Sequence, residues 1–406
     1  MKNLCRFKES ITVCAALIFA VILFLIPTGF EDALQFKDAV KCKALILETD
    51  SSRIIDTGLI RTGQQVCTVK FLDGKFKGKL TDGWNMLQGS LSQDKIFSPG
   101  DTAQAVVHWK YKNSDENSID DNIEFLSVNL IDHFRLTKEM ILALSFALFL
   151  IIFAGKTGIR SVLSFAITVL VLWKILVPLY LKGINPLFAG YAVTIILTIV
   201  ILSLVYGFDK RLLSSASGAL LGIAFSAFLS VLCTKSFKIH GAVMSYSEAV
   251  LYSGYEYLNL TQIFMSSVCV GASGSIMDLS VDITSAVNEV VKNCPTISWK
   301  NAVKSGLQVA RAAMGTMTTT LLLAYSGSCT ALLMAFMAQG TPIYNILNNN
   351  QVASEIINTI AGSFGLAATA PFTALMSGII LTRKKIQVKF SIKKNKKNKA
   401  EKSFQN

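Results

Sequence analysis

Long apolar runs recur along this chain, and they constrain its fold more than any other feature of the sequence. Each run is long enough to form a helix that crosses the roughly 30 Å hydrocarbon core of a bilayer. The composition agrees, because 52% of the residues are hydrophobic and only 16% are charged. The sequence therefore predicts a polytopic α-helical membrane protein with about eight transmembrane helices. The runs cover about 11–30, 138–155, 158–181, 187–207, 212–234, 258–283, 315–338 and 356–382.

Residues 31–137 interrupt this pattern between the first two apolar runs. They hold 16 of the 26 acidic residues of the chain, which is the composition of a soluble domain. β-branched and aromatic residues are enriched at 41–48, 65–72, 102–111 and 126–134, and Asp73-Gly74 indicates a turn. We expect one small extracytoplasmic β-rich domain, a barrel or a sandwich, between helices 1 and 2.

The distribution of Lys and Arg among the short loops predicts the orientation. Basic residues cluster at 156–160, at 210–211 and between 292 and 311. Because cytoplasmic loops carry the excess of positive charge, these loops and both termini are expected in the cytoplasm. The first apolar run lacks a small-residue cleavage site, so 1–30 are interpreted as a cytoplasmic N-terminus with an uncleaved signal-anchor helix. We expect a protein of the cell membrane, with seven further helices over 138–382.

Residues 383–406 carry most of the net charge of +13, because they contain ten basic residues and one acid. Lysines next to a membrane helix meet anionic lipid headgroups first. Between 383 and 402, Phe390 is the only aromatic residue among the lysines, which is too little aromatic surface to stack nucleic-acid bases. The prediction is a disordered basic cytoplasmic tail that contacts anionic lipids, and nucleic acid is not an expected partner.

The eight cysteines stand singly, without the spacing of a zinc site. The sequence also lacks HExxH, GxSxG, Walker A and GxGxxG motifs in a suitable context. We therefore expect no metal, no cofactor and no enzymatic activity. Cys42 and Cys67 share the domain expected outside the cell, where a disulfide is chemically permitted but is not specified by the sequence.

Acidic residues near the end of the run 258–283 are the candidates for a functional site. Asp278 and Asp282 lie four residues apart, hence on one face of a helix. A carboxylate at the centre of a membrane helix costs about 2.5 to 3.5 kcal/mol, so such residues normally face protein or water. A solvated helix end also explains Asp282, and a hydroxyl bonded to its own helix also explains Thr318. The proton- or ion-coupling candidates are Asp278, Asp282, Glu289, Arg311 and Thr318.

Three stretches resemble the YibE/F family of bacterial membrane proteins: Gly271-Ala-Ser-Gly-Ser-Ile-Met-Asp278, Asn288-Glu289 and 314–327. The likeness extends over roughly 126–381. It implies a multipass protein of Gram-positive-type bacteria, in a family with no assigned biochemical activity. Family members tend to carry an acid directly after the position of Arg311, where this chain has Ala312. A charge network built on that acid is therefore in question here.

Two classes of function fit these features. The first is a secondary transporter or export component that couples to protons or ions through an intramembrane Asp. The order of one helix, an external domain, more helices and an intramembrane Asp also resembles half of a resistance-nodulation-division exporter. The alternative is a non-catalytic assembly or regulatory protein whose external β domain binds a protein partner, with the helices as its anchor.

Overall fold

The computed structural model describes residues 2–30, 39–111 and 123–402, with side chains for all of these except 2–11, 328 and 383–402. The chain divides into two compact units. One comprises Gly29–Phe149, and the other comprises Met1–Thr28 together with Leu150–Asn406. The strands lie in the first unit and most of the helices in the second, so each has its own hydrophobic core.

Five strands form a closed barrel in the first unit. They are β1 Val40–Asp56, β2 Arg61–Phe71, β3 Leu80–Gln88, β4 Thr102–Tyr111 and β5 Ile123–His133. Their order around the barrel is β1-β2-β3-β5-β4, with β3 and β5 parallel and all other neighbours antiparallel. The prediction of a β-rich region is confirmed, and all four runs that were expected to be strands lie in strands.

The third strand was not predicted, because Asp82 and Gly83 lower its intrinsic β-propensity. Tertiary packing explains the glycine at position 83, because a Cβ there would approach the Leu130 side chain of β5 to 3.2 Å. The long strand β1 pairs with two neighbouring strands. It pairs with β4 through Val40–Leu45, and its pairing with β2 extends as far as Asp56. Register shifts after Ile46 and Asp50 bend β1 between these partners, as β-bulges do.

Cys42 and Cys67 lie in the barrel core as free thiols. Cys67 pairs across the sheet with Thr49, seven residues beyond Cys42 on β1. Strands rise about 3.4 Å per residue, so the Cα atoms of the two cysteines are separated by about 20 Å, whereas bridged Cα atoms lie within about 7 Å of each other. The structure therefore forms no Cys42–Cys67 disulfide. Burial raises the pKa of each thiol to about 11, and the charge of Asp73 contributes at Cys42.

Twelve α-helices are present among the described residues. Six helical segments are long and apolar enough to cross a membrane, and a seventh results if two helices bent by 59° between Gly327 and Thr330 count as one span. The multipass helical class is therefore confirmed, while the predicted count of eight spans stays a prediction, since side chains of the first helix are described only from Thr12. The helices are α1 Lys2–Leu25, α2 Leu136–Ala154, α3 Lys156–Val171, α4 Val177–Leu181, α5 Pro186–Tyr206, α6 Lys210–Ser236, α7 Ser247–Tyr252, α8 Leu260–Asn293, α9 Trp299–Ser328, α10 Thr330–Ala338, α11 Ile343–Leu347 and α12 Asn350–Lys402.

Helix starts in the bundle are capped by polar side chains of the preceding loops. Asn185 accepts hydrogen bonds from the N–H groups of Leu187 and Phe188, and Pro186 occupies the first helical position of α5. Asn259 likewise accepts from Gln262 N at the start of α8. At the other end of the chain the backbone of α12 remains helical to Lys402, so the predicted disordered tail is not seen.

The helical core centres on α8, which packs against α5, α6, α9 and α12. Buried hydroxyl groups join α6, α8 and α12 in what we call the hydroxyl seam. The Ser280 hydroxyl donates to Ser215 O at 2.6 Å, and the hydroxyls of Ser214 and Ser377 lie 2.7 Å apart. The seam covers about 24 Å along α6, most of a bilayer core. Its fully buried members are Ser214, Ser215, Ser226, Ser230, Ser280, Thr284, Thr369, Thr373 and Ser377.

Candidate functional site

The face of α8 opposite to this core is exposed along most of its length. We call it the open face of α8, and it carries no large apolar side chain. Its members recur three or four residues apart, which places them in one stripe about 33 Å long. The exposed residues of this stripe are Ser267, Gly271, Gly274, Asp278, Asp282, Ser285 and Glu289.

Glycines keep part of the open face free of covering atoms. A Cβ at Gly274 would have no heavy atom within 4 Å, and the same holds for Gly315 on α9. Gly271 is different, because the Tyr325 hydroxyl of α9 lies 2.6 Å from the position of its Cβ. The helix α9 therefore covers α8 at Gly271 and leaves it uncovered at Gly274.

The level of Asp278 in the bundle follows from hydrogen bonds on neighbouring turns. Tyr206, the last residue of α5, donates its hydroxyl to Val281 O at 2.7 Å and lies 2.8 Å from the Ser285 hydroxyl. The end of α5 therefore lies level with Val281. Asp282 lies at that boundary, whereas Asp278 lies about one turn further into the bundle.

A charged group closes the same end of the bundle between α5 and α6. Asp209 accepts hydrogen bonds from Lys210 N at 2.7 Å and from the Arg211 guanidinium at 2.8 Å, and that guanidinium lies 5.0 Å from the Tyr206 ring centroid. Partial burial opposes ionisation of Asp209, but these hydrogen bonds outweigh burial and lower its pKa below the usual value. The group marks a polar boundary next to Asp282.

On α9 the structure places Arg311 and Thr318 on exposed positions. The Thr318 hydroxyl donates to Met314 O at 2.7 Å, a bond within its own helix. Arg311 has no carboxylate within 4.0 Å among the described residues. The contacts Gly271 with Tyr325 and Val287 with Gly306 show that α8 and α9 are antiparallel, which puts Arg311 at about the level of Asp282.

Glu289 lies near the far end of the open face and belongs to a local surface group. Its carboxylate accepts a hydrogen bond from Asn293 at 3.3 Å and lies 3.9 Å from the Lys292 amine. All five predicted site residues are thus exposed, three of them on one face of α8. The structure does not join Thr318 or Arg311 to them by a hydrogen bond or ion pair among the described residues.

Sequence reasoning missed Tyr206 and Ser285, which fix the level of the acids. Both are polar residues at the ends of apolar runs, a signal that is visible but does not reveal that the two helices meet. It also missed the hydroxyl seam, whose serines look like scattered polar residues until three helices align them. No three His, Cys, Asp or Glu side chains come together as metal ligands in the described part of the chain.

A family model described as YibE/F-like protein matches residues 142–383, more than half of the chain. The chain belongs to the YibE/F-like family. The matched region contains all five predicted site residues and both faces of α8, while the barrel precedes it. With its apolar helices, this YibE/F-like chain is an integral membrane protein. No curated protein and no solved structure matches the chain.

Proposed function

We propose that this YibE/F-like protein is a secondary transporter or export component that couples transport to protons or ions through Asp278. The supporting observation is the open face of α8, on which Asp278 lies exposed among glycine and serine residues. Transport needs a group that binds and releases an ion as access alternates. A carboxylate close to a membrane boundary has that chemistry.

The energetics of the open face favour contact with water or protein over contact with lipid. A charged carboxylate at a helix centre costs about 2.5 to 3.5 kcal/mol on insertion scales, and Asp278 and Asp282 would both contribute a part of that cost. Exposed glycine and serine offer lipid almost no apolar surface in return. A stripe of this length is therefore suited to line an aqueous path.

The test uses a deletion strain that is screened for sensitivity to ions, metals and toxic compounds and then complemented with variants. We expect Asp278→Asn to reach the membrane at normal levels and to abolish complementation, because the amide keeps the shape of the side chain but does not titrate. Asp282→Asn is the matched control one turn away, at the boundary set by Tyr206, and should have a milder effect.

Full complementation by Asp278→Asn would rule out the transport proposal and favour the alternative of a non-catalytic assembly or regulatory protein. Loss of the protein from the membrane would be recognised by quantifying the variant in isolated membranes. The conservative Asp278→Glu variant keeps the titrating carboxyl but changes the packing of the side chain. It therefore separates a requirement for titration from a requirement for packing.

We also propose that the bundle end with Lys210 and Arg211 faces the cytoplasm and that the barrel lies outside. The positive charge of the loops supports this orientation. The check is labelling by a membrane-impermeant maleimide of Lys77→Cys and Lys292→Cys, in a background without native cysteines. We expect Lys77→Cys to react in intact cells and Lys292→Cys to react only after the cells are opened. The reverse pattern would overturn the orientation.

An assembly function is the second candidate, and one observation on the barrel favours it. The Lys75 amine lies 3.6 Å from the Trp109 ring centroid and 2.9 Å from the Tyr111 hydroxyl, and Tyr111 is half exposed. Aromatic residues with a polar end are enriched at protein interfaces. If Tyr111→Ala abolishes complementation while Asp278→Asn does not, the barrel is the functional part.

A further inference from the structure

The start of α2 fixes one point of the barrel unit at the membrane surface. The helix has 19 residues, a mean hydropathy of 2.1 and no buried side chain. At 1.5 Å per residue it is about 28 Å long, barely the thickness of the roughly 30 Å hydrocarbon core. To span the core α2 must use its whole length, so its first turn lies in the headgroup layer.

A cleft of about 380 Å³ opens at that turn. Its walls are the outer face of β1, β4 and β5 on one side and the first turn of α2 on the other. Lys43, Gln104 and Asp132 are cross-strand neighbours that form the barrel wall, and Leu136 and Glu139 form the helix wall. The cleft therefore lies at the depth of phospholipid headgroups.

Two lysines leave positive charge available in this cleft. Lys41 and Lys43 both line it, and neither amine has a carboxylate within 4.0 Å among the described residues. The Lys43 amine lies 4.8 Å from the ring centroid of Phe134, where the aromatic face supports it without neutralising it.

The acids of the cleft differ in their partners. Asp132 binds the Arg135 guanidinium at 2.7 Å and accepts from His133 N at 2.7 Å, and Asp73 accepts from Lys43 N at 2.6 Å. Glu139 also lines the cleft, and its carboxylate has no side-chain partner among the described residues. The Asp73 carboxylate is held by a backbone N–H alone and keeps its charge, so two unpaired amines face two unpaired carboxylates. This set of groups favours an anion that also carries hydroxyl donors.

Apolar surface continues from the cleft along the membrane helix. Leu136 lines the cleft, and Met140 and Leu144 follow at intervals of four residues on the same face of α2. Their exposed fractions are 55%, 55% and 65%. A ligand that fits both parts has an anionic head and a hydrocarbon tail.

We propose that this cleft binds the headgroup of an anionic phospholipid of the phosphatidylglycerol type. Its phosphate lies between the amines of Lys41 and Lys43, and its glycerol hydroxyls donate to Glu139. Its acyl chains run along Leu136, Met140 and Leu144. The proposal does not depend on transport, because the cleft lies in the barrel unit and shares no residue with the open face of α8.

The test measures lipid retention by native mass spectrometry of the full-length protein in detergent. Phosphatidylglycerol and phosphatidylcholine with identical acyl chains are titrated separately. We expect one phosphatidylglycerol to bind most tightly to the wild type, and Lys41→Gln with Lys43→Gln to weaken that site by about 30-fold, as expected from the loss of two charges near an anionic group. The pair Lys41→Arg with Lys43→Arg keeps both charges and should restore binding.

Lys70→Gln with Lys77→Gln is the matched control, since it removes the same charge from exposed barrel positions outside the cleft. Equal affinity of the Lys41/Lys43 glutamine variant and this control would overturn the proposal. Equal retention of phosphatidylcholine and phosphatidylglycerol would overturn the anionic preference. Full displacement by inorganic phosphate would overturn a lipid ligand in favour of a free anion. Unchanged far-ultraviolet circular dichroism of each variant shows that loss of binding is not loss of fold.

Discussion

The two faces of α8 are built from the same small and polar residues but are used in opposite ways. On the core face, Ser280 and Thr284 are fully buried and bond to hydroxyls of α6 and α12. On the open face, Ser267 and Gly274 have no covering helix. Small size allows close helix packing only where another backbone is present. Residue type alone therefore does not distinguish a residue that joins two helices from one that lines an open surface.

The glycines of the core show how tight that packing is. A Cβ at Gly222 of α6 would collide with the Thr369 hydroxyl of α12 and lie 3.1 Å from Gly365 O. Gly274, one helix away, has open space around the same hypothetical atom. The comparison therefore predicts that equal substitutions on the two surfaces will have unequal effects.

The largest effect is expected for Gly222→Ala against Gly274→Ala. Gly222→Ala forces α6 and α12 apart and should destabilise the bundle by about 1 to 3 kcal/mol, the usual range for overpacking. Gly274→Ala should be neutral or stabilising by up to about 1 kcal/mol, because alanine is the better helix former. Thermal unfolding in detergent, followed by size-exclusion chromatography, measures the difference. Equal melting temperatures would mean that the two faces are not distinct.

A smaller effect is expected for Ser280→Ala against Ser267→Ala. Ser280 donates to Ser215 O and lies 2.9 Å from the Ser215 hydroxyl, so its loss leaves buried groups without partners. Hydrogen bonds between membrane helices contribute about 0.6 kcal/mol on average and up to about 1.7. We expect about 1 kcal/mol for Ser280→Ala and no measurable change for Ser267→Ala, in the same unfolding assay. If Ser267→Ala destabilised as much, the open face would be covered in the native membrane.

The smallest effect concerns the edge between the two faces. Tyr206→Phe removes the hydroxyl that bonds Val281 O and Ser285 and should cost about 0.5 to 1 kcal/mol, the net value of one hydrogen bond. Tyr191→Phe on the same helix is the control, because that partly buried side chain makes no hydrogen bond through its hydroxyl among the described residues. If the Tyr206→Phe effect is no larger than that of the control, this hydrogen bond does not hold the end of α5 at the level of Asp282.

Several details of the barrel show where sequence patterns stop being informative. The runs at 41–48 and 102–111 formed strands as predicted, because alternation of apolar residues is a local property. Leu80–Gln88 was missed, since Gly83 is explained only by the proximity of Leu130 from a strand more than 40 residues later. Cys42 and Cys67 could be assigned to one domain, but only strand register shows that they lie too far apart to pair.

The sequence by itself determined the membrane class, the position of a β-rich region after the first apolar run, and the shared helix face of Asp278 and Asp282. Each depends on the length or period of a local stretch, which the chain encodes directly. Only the tertiary structure decided that this face is exposed and that the opposite face is joined by hydroxyls. It also decided that Asp282 lies level with the end of α5. These properties depend on which helices meet, and the contacting residues are separated by up to 163 positions along the chain.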